Sequence, residues 1–382
     1  MIQGNLILDL QYGSTGKGLI AGCLAHRNQP DTIATAWAPN AGHTFIDTDG
    51  QKYVHTMLAN GIVSRNLRML LIGPGSLINA HSLRQEIDVA RALGLLPENE
   101  VKIFIHPNAA VVTQQHRDLE AGPMTKIGST KKGVGEAMIQ RIRRDPDNLN
   151  IAYNPIEQRV HEDLVRVGLA GNVVTSRMYQ AAWESAEVIQ IEGAQGYSLS
   201  MYHGMYPYTT SRDISLHQTL ADVALPPRYA AQLRVVGCAR TYPIRVANRF
   251  DESGAQVGYS GPCYSDQQEI SWDQLGLEPE LTTVTRLPRR LFTFSHLQLD
   301  EAIRQCGVDE LFLNFVNYIS PDERQKFCSE VEFTAECAGA RLSHVGLGPT
   351  ADDVFTYCGS TIRTEFPVYS IRGQRGGADS HA

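Results

Sequence analysis

Long hydrophobic runs are missing from this 382-residue chain: no apolar stretch approaches the roughly 20 residues that a membrane-spanning helix needs. A basic surplus is missing too. Asp and Glu number 41 against 34 Lys and Arg, a formal charge of −7, whereas proteins that grip a nucleic-acid polymer advertise a positive face. The seven cysteines form no CxxC pair, which excludes a zinc ribbon or a disulfide framework and leaves scattered thiols of a reducing compartment. Met1-Ile2-Gln3-Gly4-Asn5 lacks the basic start of a secretory signal. Internal repeats and low-complexity linkers are not found. The expectation is a soluble cytoplasmic protein with small-molecule ligands, no membrane and no nucleic-acid polymer.

What is present is apolar material for a sizeable core, 42% of the residues, in short runs that alternate with amphipathic stretches. Leu6–Leu8, Met69–Ile72, Val101–Ile105, Val188–Ile191, Leu233–Val236 and Leu311–Leu313 read as buried strands. Lys17–His26 and Leu83–Leu93 read as helices. This β-α-β rhythm predicts an α/β fold, a large, mostly parallel central sheet flanked by helices. The polar stretch Arg249–Gly261 reads as a hairpin or surface excursion, and Gly373–Ala382 as a polar tail. Nothing divides the rest, so residues 1–372 are expected to form one domain with insertions.

Between the first strand and the first helix lies Gln11-Tyr12-Gly13-Ser14-Thr15-Gly16-Lys17-Gly18. Glycines let backbone N–H groups approach a phosphate, the helix presents its positive end, and a lysine adds a point charge. The glycine spacing is too short for a standard Walker A loop, and no Ser/Thr follows the lysine. A plain small-residue turn would look the same. After a second apolar run comes Asn40-Ala41-Gly42-His43-Thr44, a small, polar setting in which a histidine suits electrophilic assistance.

Together these two segments resemble the adenylosuccinate synthetase family, whose usual forms are QWGDEGKG and NAGHT. The resemblance continues in family order over essentially the whole chain. Ile127-Gly128-Ser129-Thr130 resembles the IMP-phosphate loop, Glu192-Gly193-Ala194-Gln195-Gly196 the EGAQG segment, and Tyr206–Ser211 the YPYVTSS segment. Val284-Thr285 to Arg289-Arg290 resembles the aspartate loop, and Gly348-Pro349 the nucleotide loop. The family implies a P-loop-related fold in a homodimer and a Mg²⁺-dependent C–N ligase. A nucleoside triphosphate phosphorylates the purine 6-oxygen, and L-aspartate then displaces phosphate.

Three departures matter. Ser14 and Thr15 stand where the family has the Asp-Glu of GDEGKG; a hydroxyl is no carboxylate base, but it leaves room beside purine C2. Asn317 replaces the aspartate that recognises guanine, and Phe315 replaces a lysine stem, which favours ATP or dATP over GTP. Leu287-Pro288 stand where the family has an arginine that reaches ribose hydroxyls, which suits a deoxynucleotide. These changes resemble a phage branch that condenses dGMP, in place of IMP, with aspartate on the way to 2-aminoadenine DNA. The compartment would then be the host cytoplasm. An ordinary IMP- and GTP-using synthetase, and a nucleotide-binding regulator without catalysis, stand beside it as alternatives.

The resemblance assigns roles. Ser14, Thr15, Gly16, Lys17, Gly18 and Thr44 would hold the triphosphate, with Asn317, Gly348 and Pro349 at its base or ribose. Ser14 and the Gly42 carbonyl would hold Mg²⁺. Ser14, Asn40 and Gln195 would face the purine of dGMP, and Ser129, Thr130 and Thr210 its phosphate, with Arg144 reaching that phosphate from the partner subunit. Thr285 and Arg290, with Arg289 nearby, would hold aspartate. Catalysis would rest on Ser14, Lys17, His43 and Gln195.

Overall fold

In a computed structural model that describes residues 3–120, 130–282, 286–359 and 361–363, a ten-stranded sheet runs through the molecule. Its strands in chain order are β1 (Gln3–Asp9), β2 (Thr32–Thr35), β3 (Met69–Ile72), β4 (Lys102–Ile105), β5 (Val188–Glu192), β6 (Leu233–Arg240), β7 (Glu310–Asn314), β8 (Arg341–Gly346), β9 (Val354–Cys358) and β10 (Thr361–Arg363). Across the sheet they lie in the order β10-β9-β8-β7-β6-β1-β5-β2-β3-β4. All neighbours are parallel except the edge pairs β8–β9 and β9–β10. The six expected strands and both expected helices are present. The three strands after residue 340 were not foreseen, because Ser343 and His344 interrupt the apolar pattern of β8.

β1 is central and buried on both faces. Ile7 points to one core, Leu6 and Leu8 to the other, as the two-residue period of a strand requires. On the Ile7 side lies the helix α1 (Lys17–Asn28). Its residues from Lys17 to His26 are all buried, because the hairpin His43–Ile46/Lys52–His55 closes over it, with Phe45 against Gly22. The other face carries the helices Ser176–Ser185, His296–Cys306 and Pro321–Ala338. A smaller antiparallel sheet, Ile244–Arg245, Arg290–Phe292 and Glu269–Ile270, stands beyond the carboxyl end of β6. The excursion after Arg249 is a hairpin, Arg249–Phe250 with Gln256–Gly258.

Parallel strands direct their carboxyl ends, and the loops that follow them, to one side of the sheet, where α/β proteins bind ligands. The glycine loop follows β1, Trp37–His43 follows β2, Gly193–Gly196 follows β5, and Phe315 follows β7. Motifs scattered through the sequence meet there.

Candidate active site

The glycine loop is organised by a carboxylate beneath it. Asp9, the last residue of β1, is buried. It accepts from the N–H groups of Gln11 (3.0 Å), Gly13 (3.2 Å) and Thr15 (3.3 Å), and from the Thr15 hydroxyl at 2.6 Å. Burial raises the Asp9 carboxyl above its usual range, while Lys17 and these hydrogen bonds favour the ionised form. The Thr15 carbonyl accepts from Asn314 Nδ2 at 2.7 Å. The N–H, hydroxyl and carbonyl of Thr15 are each hydrogen-bonded within the protein, so the residue also holds the loop that lines the cavity. Gln11 bonds the backbone of Arg240 in both directions, at 2.9 and 3.1 Å.

Ser14 sits at the crest with a φ of 57°, a left-handed conformation that costs a non-glycine residue about 1 kcal/mol or more. It is exposed into the cavity, and its carbonyl accepts from Arg240 Nη1 at 3.0 Å. Arg240 is fully buried, held by Glu280 at 2.5 Å, and its guanidinium lies 3.9 Å from the centre of the Phe315 ring. One face of Phe315 thus stacks on an arginine.

His43 and Lys17 face each other. Lys17 Nζ lies 3.1 Å from His43 Nδ1, and the imidazole stacks on Trp37 with centres 3.8 Å apart. Trp37 Nε1 donates to the carbonyls of Glu192 and Gly193 at 2.8 and 3.2 Å, which ties the histidine to the loop after β5. That loop also presses on the glycine loop: a Cβ at Gly196 would lie 2.4 Å from Gln11 O and Gly13 N. The tight side of α1 is similar, since a Cβ at Gly18 would meet the Thr44 carbonyl at 2.6 Å. Burial, and then the positive charge of Lys17, holds His43 well below the usual histidine range. Burial also lowers Lys17, with Asp9 and Glu192 opposing that shift. Gln195, at a φ of 58°, donates from Nε2 to Asn40 Oδ1 at 3.2 Å. Two of the residues assigned to the purine are thus in contact.

These groups surround a cavity of about 360 Å³, within the range of small-molecule sites. Of the expected residues, Ser14, Thr15, Gly16, Lys17 and Gly18 line it from the first loop. Asn40, Gly42, His43 and Thr44 line it from the second, joined by Thr130, Gln195 and Arg289. Thr210 stands behind the wall, its N–H donating to the lining residue Leu199 at 2.7 Å. Arg144 is exposed after the helix Val134–Arg143. Asn317 is exposed in the turn after β7, Gly348 and Pro349 follow β8, and none of these borders this cavity among the described residues. Arg290 is engaged elsewhere, donating to both oxygens of Glu269 at 2.7 and 2.6 Å. Ser129, Thr285 and the tail 373–382 lie outside the described residues.

The sequence reading missed Asp9, Val246, Ala247 and Arg249 as lining residues. An acid ending the apolar strand Leu6-Ile7-Leu8-Asp9 was a signal that could have been used. Residues 246–249 carry none.

The family profile of adenylosuccinate synthetase matches residues 6–164 and 169–345. The N6-succino-2-amino-2'-deoxyadenylate synthase of Salmonella phage PMBT28 is 48% identical over 92% of this chain and 97% of its own. The adenylosuccinate synthetase of Methanococcus vannielii is 30% identical over 90% and 96%. Among solved structures, the succinoaminodeoxyadenylate synthetase of cyanophage S-2L, bound to dGMP and to dATP as an energy donor, superposes with a TM-score of 0.82. It is 44% identical and covers 93% of this chain and 95% of its own. With the family profile matched over most of its length and relatives of 30–48% identity covering nine-tenths of it, this chain belongs to the adenylosuccinate synthetase family.

Proposed function

We propose that this chain is a C–N ligase that joins dGMP to L-aspartate, using ATP or dATP, to give N6-succino-2-amino-2'-deoxyadenylate for 2-aminoadenine DNA. The 6-oxygen of guanine attacks the γ-phosphorus and the nucleoside diphosphate leaves; the amine of aspartate then attacks C6 and phosphate leaves. The observation that carries this reading is the graded similarity: over nearly the same share of the chain, the relatives named for this product are 42–48% identical to it and the adenylosuccinate synthetases 26–30%.

The geometry supports a defined role for His43. An ammonium has no lone pair, so Lys17 donates to Nδ1 and the imidazole proton resides on Nε2. Asp9 and Glu192 favour the ammonium form against the burial that lowers the Lys17 pKa. His43 is then a neutral donor, held in orientation by Trp37, suited to charge that develops on the 6-oxygen. Asn40 and Gln195 hold that oxygen, and Ser14, Gly16, Lys17 and Gly18 cradle the triphosphate, with Thr44 at its β-phosphate. With no carboxylate at residue 14, the guanine N1 proton leaves to a water or a phosphate oxygen positioned by Ser14. Asn317, Gly348 and Pro349 would receive the adenine and its ribose, and Ser129, Thr130 and Thr210 the dGMP phosphate, with Arg144 of a partner subunit completing it in a homodimer. Thr285 and Arg289 would hold aspartate, and Arg290, paired with Glu269, would brace the loop that carries Arg289.

Among the described residues no group of three or more His, Cys, Asp or Glu side chains could hold a metal, and the Asp9 oxygens are taken by four donors. The donors left are the Ser14 hydroxyl and the Gly42 carbonyl, both exposed in the cavity. Such a sparse set of oxygens suits Mg²⁺, which keeps water and phosphate oxygens as most of its ligands. Bound there, Mg²⁺ would neutralise charge shared by donor and acceptor oxygens. The reaction belongs to a single catalytic domain spanning residues 1–372. No helix among the described residues is long and apolar enough to cross a membrane, in keeping with an enzyme of the host cytoplasm.

The test is turnover at matched aspartate and Mg²⁺, with dGMP or IMP as acceptor and ATP or GTP as donor. Efficient ADP release with dGMP and ATP, and poor rates with IMP or GTP, are expected; faster succinylation of IMP would overturn the assignment.

A further inference from the structure

Arg240, the last residue of β6, has no assigned role and does not border the cavity among the described residues. Its side chain is fully buried, which is costly for a guanidinium unless its charge and N–H groups are met. Three segments meet them. Nη1 donates to the Ser14 carbonyl at the crest of the glycine loop at 3.0 Å. Nη1 and Nη2 donate to the two Glu280 oxygens at 3.3 and 2.5 Å, and the guanidinium rests on the Phe315 ring.

Glu280 is the foot of the loop assigned to aspartate. Its carbonyl accepts from Arg289 N at 2.8 Å, Leu281 bridges to Pro288, and Thr282 N donates to Leu287 O at 2.9 Å. Residues 280–282 and 287–289 thus run antiparallel as one unit, and Thr282, Leu287 and Arg289 border the cavity. Burial works against the Glu280 carboxylate, but Arg240, and then Arg289, outweigh it and hold its pKa below the ordinary value. The Tyr318 hydroxyl adds a hydrogen bond at 3.3 Å.

The crest of the glycine loop needs an outside restraint, because Ser14 holds a left-handed φ of 57° and such a conformation persists only where its surroundings impose it. Arg240 supplies that restraint through the Ser14 carbonyl. The same rigid fork fixes the direction of Glu280 as well as its distance. One buried cation therefore spans the loop assigned to the triphosphate and the loop assigned to the amino acid.

We propose that Arg240 is a positioning residue that sets these two loops in register, so that the sites for the triphosphate and for aspartate are built together. This rests on the ligase reading above.

The experiment compares wild type with Arg240→Lys, Glu280→Gln and the double variant, by KM for ATP and for aspartate, kcat and melting temperature. Lysine keeps the charge but, as a point donor, cannot hold Ser14 and Glu280 through one fork. Arg240→Lys is expected to raise both KM values together, each about three- to tenfold, as losing a hydrogen bond does. Glu280→Gln should raise KM for aspartate more than KM for ATP, because the contact with Ser14 remains. The double variant should be no worse than Arg240→Lys, since both substitutions cut one connection. Unmoved KM values beside a lower melting temperature, in either active variant, overturn the positioning role alone. So do effects that multiply in the double variant. A wild type that consumes no ATP with dGMP and aspartate overturns the ligase reading and the positioning role with it.

Discussion

Lys17 Nζ and His43 Nδ1 lie 3.1 Å apart, so the lysine expected at the phosphates is in direct contact with the histidine expected to take part in catalysis. The pair joins the loop after β1 to the hairpin after β2, and removing either partner disturbs both halves of the site.

A ranking of two variants follows. His43→Ala removes a donor made chiefly for the transition state and should lower kcat by about 10²–10³-fold. Ser14→Ala should lower it by less than the 10²–10⁴-fold that a lost general base costs. Rates of both at saturating dGMP and Mg²⁺ decide it. An inactive Ser14→Ala beside an active His43→Ala would give the serine the central chemical role.

Asp9→Asn keeps the shape of the side chain but turns one of its oxygens into a donor, either Oδ1 against the N–H groups of Gln11 and Gly13 or Oδ2 against the N–H and hydroxyl of Thr15. The facing donors conflict, at a cost of about 1–3 kcal/mol. The melting temperature should fall and KM for ATP should rise. Thr15→Val, which removes only the hydroxyl contact, should do less on both. Equal effects would mean that the carboxylate does not organise the loop.

Acid stability carries a signature from His344. Burial, and then Arg27 and Arg341, holds its pKa at about 3, below the ordinary 6.5. The imidazole also stacks on Phe312 with ring centres 4.2 Å apart. Between pH 6.5 and 3 the unfolded chain binds a proton that the folded chain refuses, so stability falls as pH falls through this window. His344→Phe removes that slope while keeping a flat ring. Melting temperature should decline less steeply with acid in the variant than in wild type; parallel curves would exclude the histidine as a source.

The sequence by itself determined the parallel sheet and the parts of the site written within a few positions of one another. Gly13 to Gly18 and Asn40 to Thr44 announce themselves because their chemistry depends on neighbouring residue types, and the short apolar runs announce strands because burial on both faces leaves no polar alternation. Tertiary structure decided which side chains those loops offer to a ligand. Thr15 sits in the glycine loop, and the fold sets Asp9 and Asn314 against its N–H, hydroxyl and carbonyl. Arg290 matched the aspartate loop, yet Glu269 and the base of the hairpin engage it. Arg249 carried no motif, and the pairing of Arg245 with Arg290 brings its segment to the cavity. A guanidinium binds whichever carboxylate the fold sets beside it, and partners tens to hundreds of residues away along the chain are chosen by strand register and loop packing, which local sequence does not encode.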